Sequence, residues 1–362
     1  MSYDLTLADG MPQKTIAAIL VEQRQDLVIA EIDLPKALGI GQVLVEVLYS
    51  GICGSQLGEI DGAKGPDPWL PHLLGHEASG RVLAVGPGVS HFHPGDEVVL
   101  HWRIAQGIEA KPAKYDWHGK VVNAGWVTTF NQFTVVSENR ITKLPQGSDL
   151  KTAALYGCAI TTGFGTIDHI AKLRLGESVI VFGAGGIGLN LIQAAQLAGA
   201  QAIVAVDRFA SRLGLARACG ASHIICSESV DPWDALREVF YKDSPNGSAP
   251  DVFIDNTGHP EVIAKGYELV ANQGRVVLVG VPKKGANISI YSLPLHFGKS
   301  ILGTTGGEAR PDADIPRYMR LARSRGLDFR SIITETGTID QVNDLIAAMR
   351  SGRSAGRCVI KF

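Results

Sequence analysis

Charge of one sign is what this chain has least of: 34 Lys and Arg against 36 Asp and Glu leave a net −2 over 362 residues, with no long run of like charge. Such a surface offers no electrostatic footprint to nucleic acid or to an anionic membrane. Cysteine is scarce as well, five residues in all, odd in number and widely spaced, which is not a disulfide scaffold. The opening MSYDLTLADGMPQKT has no basic region leading into an apolar one, so no secretory signal is read there. The expectation is a reducing, cytoplasmic setting, with small molecules as partners and neither nucleic acid nor membrane.

One stretch lacks charge altogether. From Val179 to Val206, VIVFGAGGIGLNLIQAAQLAGAQAIVAV has no Asp, Glu, Lys or Arg, and its length would cross a bilayer core of roughly 30 Å. Glycines 183, 185, 186 and 188 follow a strand-like run, and Asn190, Gln193, Gln196 and Gln201 come after them. A buried strand, turn, helix and strand accounts for this pattern better.

What is present falls into two rhythms. The first half reads as short strands, KTIAAILV, QVLVEVLYS, GRVLAVG, DEVVLHW and QFTVVS, separated by Gly and Pro, the pattern of a β-rich barrel-like domain. From about residue 176 strands alternate with helical stretches through SVIVFG, AIVAVD, SRLGLARACG, HIICS, PWDALREVFYK, DVFID, PEVIAKGYELVA and RVVLVGV. That alternation marks βαβ units and a doubly wound parallel sheet. Beyond Pro311 a helix, the strand SIITE, the helix TIDQVNDLIAAMRSG and the strand RCVIKF do not extend the series, and a return to the first domain is the expectation.

Gly183, Gly185 and Gly188 spell GxGxxG directly after SVIVF and at the start of a helix. The motif alone is weak, since glycines also end strands for structural reasons. Here the context supplies a tight turn, close backbone approach and a helix N-terminus that attracts phosphate. Asp207 ends the next strand, where a carboxylate would accept hydrogen bonds from the adenine-ribose hydroxyls of NAD and repel a 2′-phosphate. Arg208 and Arg212 follow it.

Cys53 in GICGSQLGEI, His76 in LLGHEASG and Cys158 in LYGCAITTGFG each stand in a glycine-flanked turn. Singly, a cysteine is usually a small buried hydrophobe and a histidine a structural residue. Cys219, Cys226 and Cys358 sit inside helix or strand patterns and read as core. Two thiolates and one imidazole, taken together, are a catalytic zinc set that leaves a fourth position for water or substrate.

GHEASGRVLAVGPGVSHFHPGDEVV, the GAGGIG unit, VLVGVP and the terminal RCVIKF resemble the zinc-dependent alcohol dehydrogenase branch of the medium-chain dehydrogenase/reductase superfamily, from about residue 15 onward. The resemblance implies a GroES-like catalytic domain from residues 1–158 and 306–362, with a Rossmann NAD-binding domain, 159–305, inserted. It puts Cys53, His76 and Cys158 on the zinc ligands, and Glu77 beside the metal, able to approach it when a ligand moves away. It implies NAD contacts at Gly183, Gly185, Gly188 and Asp207, with Arg212 near the adenosine, Arg357 near the pyrophosphate and Thr162 near the nicotinamide. Ser55 would accept the alcohol proton, and hydride would pass between an alcohol or carbonyl substrate and NAD.

Three departures from the family pattern stand out. The region HWRIAQGIEAKPAKYDWHGKVVNAGW has no cysteine, where relatives often hold a second zinc, so one catalytic Zn2+ per chain and no structural zinc is expected. Its Trp102, Arg103, Tyr115, Trp117, His118 and Trp126 would pack the lobe, or face a substrate or subunit contact. Gln56 stands where many relatives have an aspartate, and Gly58 near where some have a proton-relaying histidine. The substrate would be a primary or secondary alcohol, a polyol or a sugar-like molecule, and the assembly a homodimer through the NISIYSLPLHFGKSILG stretch, with a homotetramer as the alternative. Two competing readings are a non-catalytic NAD(H)-binding protein and a zinc-free quinone or enone reductase. The first would have lost a ligand or a turn glycine, and the intact cysteine and histidine trio disfavours the second.

Overall fold

The computed structural model describes residues 5–6, 10–242 and 248–362. It divides into two compact units, Met1–Cys158 with Arg310–Phe362, and Ala159–Ala309. Of the opening segment read for a leader, residues 1–4 and 7–9 lie outside the described residues. Among the described residues no helix is long and apolar enough to cross a membrane.

The first unit is built on two β-layers. A closed barrel runs Lys120–Asn123, His72–Leu73, Lys14–Leu20, Val28–Asp33 and Lys114–Trp117. The second sheet runs Ile141–Lys143, Glu97–His101, Glu77–Val85, Gln42–Ile52, Arg357–Lys361 and Ile333–Gly337, with Phe133–Ser137 also paired to Gln42–Ile52. Alternation writes the strands: in Lys14–Leu20 exposed Lys14 and Ile16 flank buried Thr15 and Ala17, the two-residue period of a pleated strand. Ile19, Leu38, Leu44 and Val122 pack one core, and Val43, Val45, Val82 and Leu100 another, each large side chain contributing about 1.5–3 kcal/mol on burial. The last strand lies antiparallel to Gln42–Ile52, with Cys358 opposite Ile52 and Val359 opposite Gly51. The start of that strand, Arg357 and Cys358, therefore lies next to Cys53, while the C-terminal Phe362 ends beside Leu48, whose carbonyl accepts its N–H at 3.2 Å.

The second unit is a six-stranded parallel sheet in the order His223–Cys226, Ala202–Asp207, Ser178–Phe182, Val252–Asp255, Arg275–Leu278, Ser300–Gly303. Strand order reverses between Ser178–Phe182 and Val252–Asp255, and a ligand crevice forms outside the carboxyl ends of strands at such a point. The uncharged stretch is the strand Ser178–Phe182, the helix Gly186–Leu197 and the strand Ala202–Asp207, all largely buried. The helix expected over PWDALREVFYK is α-helical for Pro232–Arg237 and then widens into a π-helix, Glu238–Lys242.

Candidate metal centre and nucleotide turn

Strand Gln42–Ile52 delivers the chain to Cys53, which caps the helix Gly54–Ile60 with extended backbone, φ −100° and ψ 150°. The sequence reads as a loose glycine turn here; the structure has a helix. Glycines at 54 and 58 weaken it by roughly 1 kcal/mol each. A capping box compensates, with Gln56 Oε1 accepting the Cys53 N–H at 2.9 Å. Gln56 is 1% exposed, and its Nε2 lies 2.5 Å from His76 Nδ1.

His76 sits in the turn between His72–Leu73 and Glu77–Val85, entered through Gly75 at φ +90°. A Cβ at Gly75 would strike Thr129 Oγ1 and Phe130, so both the backbone conformation and the space demand glycine. Cys158 follows the 3₁₀ turn Ala154–Gly157, with φ −150° and ψ −63°. The two sulfurs are 4.0 Å apart, and they and a ring nitrogen of His76 all fall within 4.8 Å of one another.

His76 Nε2 is buried and has no hydrogen-bond partner, while Nδ1 faces Gln56. A buried polar atom in that state costs about 1–3 kcal/mol, and a cation between it and two thiolates would remove the cost. Two soft sulfurs and one imidazole suit zinc, with a fourth position open. Among the described residues no other group of three His, Cys, Asp or Glu converges in this way. The Cys158 thiol beside Cys53 holds its thiol well below the ordinary cysteine range, against the burial that pushes it up, and His76 and Arg357 add to the effect.

Glu77 is not a member of the three-residue group. Its carboxylate is fully buried against the guanidinium of Arg357, which arrives on the last strand. The structure places Arg357 against Glu77 within the first unit. Ser55 is exposed near the start of the Gly54–Ile60 helix, and the Trp102 ring centroid lies 6.4 Å from that of His76.

In the second unit Gly183 leaves the strand Ser178–Phe182 at φ +101°, and Gly185 caps the helix Gly186–Leu197. A Cβ at Gly188 would strike the Gly183 carbonyl oxygen, so helix and turn pack closer than any other residue allows. Asp207 Oδ2 accepts the Ala184 N–H at 2.8 Å and Oδ1 the Phe209 N–H at 2.9 Å. Arg212 stands 3.6 Å from Asp207 Oδ2 and stacks over Phe209 at 4.8 Å. The turn, the helix N-terminus and the carboxylate fit a dinucleotide. Thr162 is buried on the helix Ala159–Gly165, its carbonyl accepting the Thr166 hydroxyl at 2.6 Å.

Two family models match in succession: the alcohol dehydrogenase GroES-like domain over residues 39–146 and the zinc-binding dehydrogenase over residues 186–324. Between them they account for more than half of the chain. S-(hydroxymethyl)glutathione dehydrogenase of Paracoccus denitrificans is 29% identical over 380 residues, 96% of this chain and 100% of the relative. The crystal structure of benzyl alcohol dehydrogenase from Acinetobacter calcoaceticus superposes with a TM-score of 0.85 at 28% identity, covering 97% of this chain and 100% of that one. An alcohol dehydrogenase zinc-binding domain protein from Burkholderia ambifaria gives 0.86 at 28% identity, covering 96% and 99%.

The chain belongs to the zinc-dependent alcohol dehydrogenase family. It joins a GroES-like domain to a Rossmann NAD-binding domain, and it is an NAD-linked alcohol oxidoreductase.

The dehydrogenase ties down its cysteine-free 102–126 segment with side chains. Buried Glu138 accepts the N–H groups of Ile108 at 2.8 Å and Ser90 at 3.1 Å, and Ser137 Oγ accepts that of Ala110 at 2.7 Å. Arg140 donates to the Trp102 carbonyl and to Glu109, each at 2.9 Å, and lies 5.3 Å from the Trp126 ring centroid. Tyr115 packs inside, Trp102, Arg103 and Trp117 are half-buried, and His118 and Trp126 are exposed.

Sequence reasoning missed two groups. Gln56 was noted only for its missing charge; its spacing of three from a cap residue was the signal for the box it forms. Asp255 ends the strand Val252–Asp255 at the switch point, where its oxygens accept the Thr257 N–H and hydroxyl and the Gly258 N–H at 2.6–3.0 Å. Burial pushes its carboxyl above the usual range. An acid closing an apolar strand and followed by Thr and Gly was the signal there.

Proposed function

We propose that this dehydrogenase holds one zinc per chain at Cys53, His76 and Cys158, binds NAD in the second unit, and interconverts a small alcohol with its aldehyde or ketone. The observation that carries the reading is the orphaned His76 Nε2 among two sulfurs 4.0 Å apart. A lobe held by Glu138, Ser137 and Arg140 supports a single, catalytic zinc and no structural one. Bound there, zinc supplies Lewis acidity toward an alcohol or carbonyl oxygen. NAD supplies the hydride acceptor.

The chain's own residues do the rest. The lowered Cys53 thiol favours the thiolate that a metal needs, and Gln56 aims the His76 ring. The Ser55 hydroxyl, two positions from Cys53 and open to solvent, takes the alcohol proton and releases it to water. Glu77 is kept from the cluster by Arg357 and approaches it only when that pair opens. Gly183, Gly185 and Gly188 let the backbone close on the pyrophosphate, Asp207 takes the adenine-ribose hydroxyls with Arg212 beside it, and Thr162 borders the nicotinamide.

Relatives named for substrates as different as S-(hydroxymethyl)glutathione and benzyl alcohol support an alcohol whose identity the pocket wall decides. Trp102 beside His76 gives that wall one aromatic surface. The same reading includes a homodimer, with a homotetramer as the alternative: Ser300–Gly303 is an open sheet edge, and Tyr291, Leu293 and Phe297 before it are exposed. A monomer in sedimentation would contradict it. Five cysteines with no disulfide among them fit the cytoplasm. The deciding experiment follows NADH formation over primary and secondary alcohols, polyols and sugars, with as-purified and chelator-treated protein. Turnover of an alcohol that chelation abolishes and zinc restores is expected; metal-independent turnover, or none, would overturn the reading.

A further inference from the structure

Gln56 is an amide held between two groups that both become donors once a metal is bound. Its Oε1 accepts the Cys53 N–H at 2.9 Å, and its Nε2 faces His76 Nδ1 at 2.5 Å. With the amide turned this way its Nε2 can only donate, so Nδ1 accepts and the ring proton falls on His76 Nε2, which is buried without a hydrogen-bond partner. For Nε2 to ligate, the imidazole must carry its proton on Nδ1, and that N–H needs an acceptor. The amide has one accepting end and one donating end. Turned either way, it cannot accept from Cys53 and from His76 with separate atoms, whereas a carboxylate of the same length offers one oxygen to each. The side chain is 1% exposed, so water cannot easily make good the mismatch.

We propose that Gln56 is a positioning residue that loosens the grip of this site on its metal: it stabilises the histidine tautomer that does not ligate, and zinc binding forces the amide to turn its oxygen to His76 and release the Cys53 N–H. The inference rests on the Cys53, His76 and Cys158 zinc reading. It describes a site whose metal exchanges more readily than the fold requires, with the helix cap at Cys53 loosened as the metal enters.

The test titrates apo-protein with zinc against a chromophoric chelator, comparing wild type, Gln56→Glu and His76→Ala. Outer partners of metal-bound histidines typically change affinity about 10–100-fold, so Gln56→Glu is expected to bind zinc at least about tenfold more tightly, a gain that mere structural damage cannot produce. Equal or weaker binding by Gln56→Glu overturns the inference and leaves the zinc reading standing. Wild-type binding that His76→Ala does not weaken overturns the zinc reading itself. A second measurement needs no variant. In wild-type protein labelled with 15N at its five cysteines, the Cys53 amide proton should exchange several-fold faster after zinc is added; unchanged or slower exchange overturns the inference.

Discussion

Arg357 and Glu77 form an ion pair with side chains 3% and 0% exposed, one member following His76 in sequence and the other on the last strand. Removing one partner of such a pair leaves a buried charge and costs about 3–5 kcal/mol. Arg357→Met is therefore expected to lower the thermal midpoint sharply. The double variant Glu77→Gln with Arg357→Met should lose less than the two single changes together, since neither leaves a charge behind. Thermal unfolding of the four proteins checks this, and strict additivity would show that the two groups do not interact.

Gly75 fixes the approach to His76 through a positive φ and a space already filled by Thr129 and Phe130. Gly75→Ala must either shift that turn or bear strain of about 1–3 kcal/mol. Zinc content per chain should fall along with stability. An alanine variant that keeps both would show that the turn is not what places the histidine.

Glu138 gives the lobe a pH dependence with a definite sign. Burial raises its carboxyl, but the N–H groups of Ile108 and Ser90 and the His91 contact more than offset this and hold it below the ordinary carboxylate range. A depressed folded value adds stability that is fully present above about pH 4.3 and drains away as pH falls through that lower value. Glu138→Gln should cost about 1–3 kcal/mol at neutral pH and flatten the loss of stability between about pH 5 and pH 3. Melting curves across that range would reveal an unchanged slope if the carboxylate plays no such part.

The parallel sheet was the most legible part of the molecule, because runs such as SVIVF, AIVAVD and DVFID are buried on both faces and carry their own signal. The turn Gly183 to Gly188 was legible for the same local reason. Cys53, His76 and Cys158 could be grouped only through their chemistry and the family resemblance, as the two sulfurs that meet are 105 residues apart. The helix after Cys53 was hidden by its glycines, since what rescues it is a hydrogen bond from Gln56 that propensity does not contain. The link between Arg357 and Glu77 was hidden for another reason: it depends on the C-terminal strand lying against Gln42–Ile52, a pairing that no local pattern encodes. The hold of Glu138 and Arg140 on the 102–126 segment was equally invisible, because both residues lie outside it.

A preference for NAD over NADP set by the charge of Asp207 is a measurable expectation. The two Asp207 oxygens take the N–H groups of Ala184 and Phe209, so the carboxylate is fixed at the mouth of the glycine turn, with Arg208 and Arg212 each stacked on Phe209 beside it. A 2′-phosphate next to that carboxylate meets a like charge worth about 1 kcal/mol in water and about 4 kcal/mol near a protein surface. Asp207→Asn keeps one accepting oxygen and removes the charge, leaving the two arginines unopposed. The ratio of kcat/KM for NAD over NADP should favour NAD in the wild type and fall at least about fivefold in the variant. A wild type that prefers NADP, or a variant with an unchanged ratio, would mean that Asp207 does not select the cofactor.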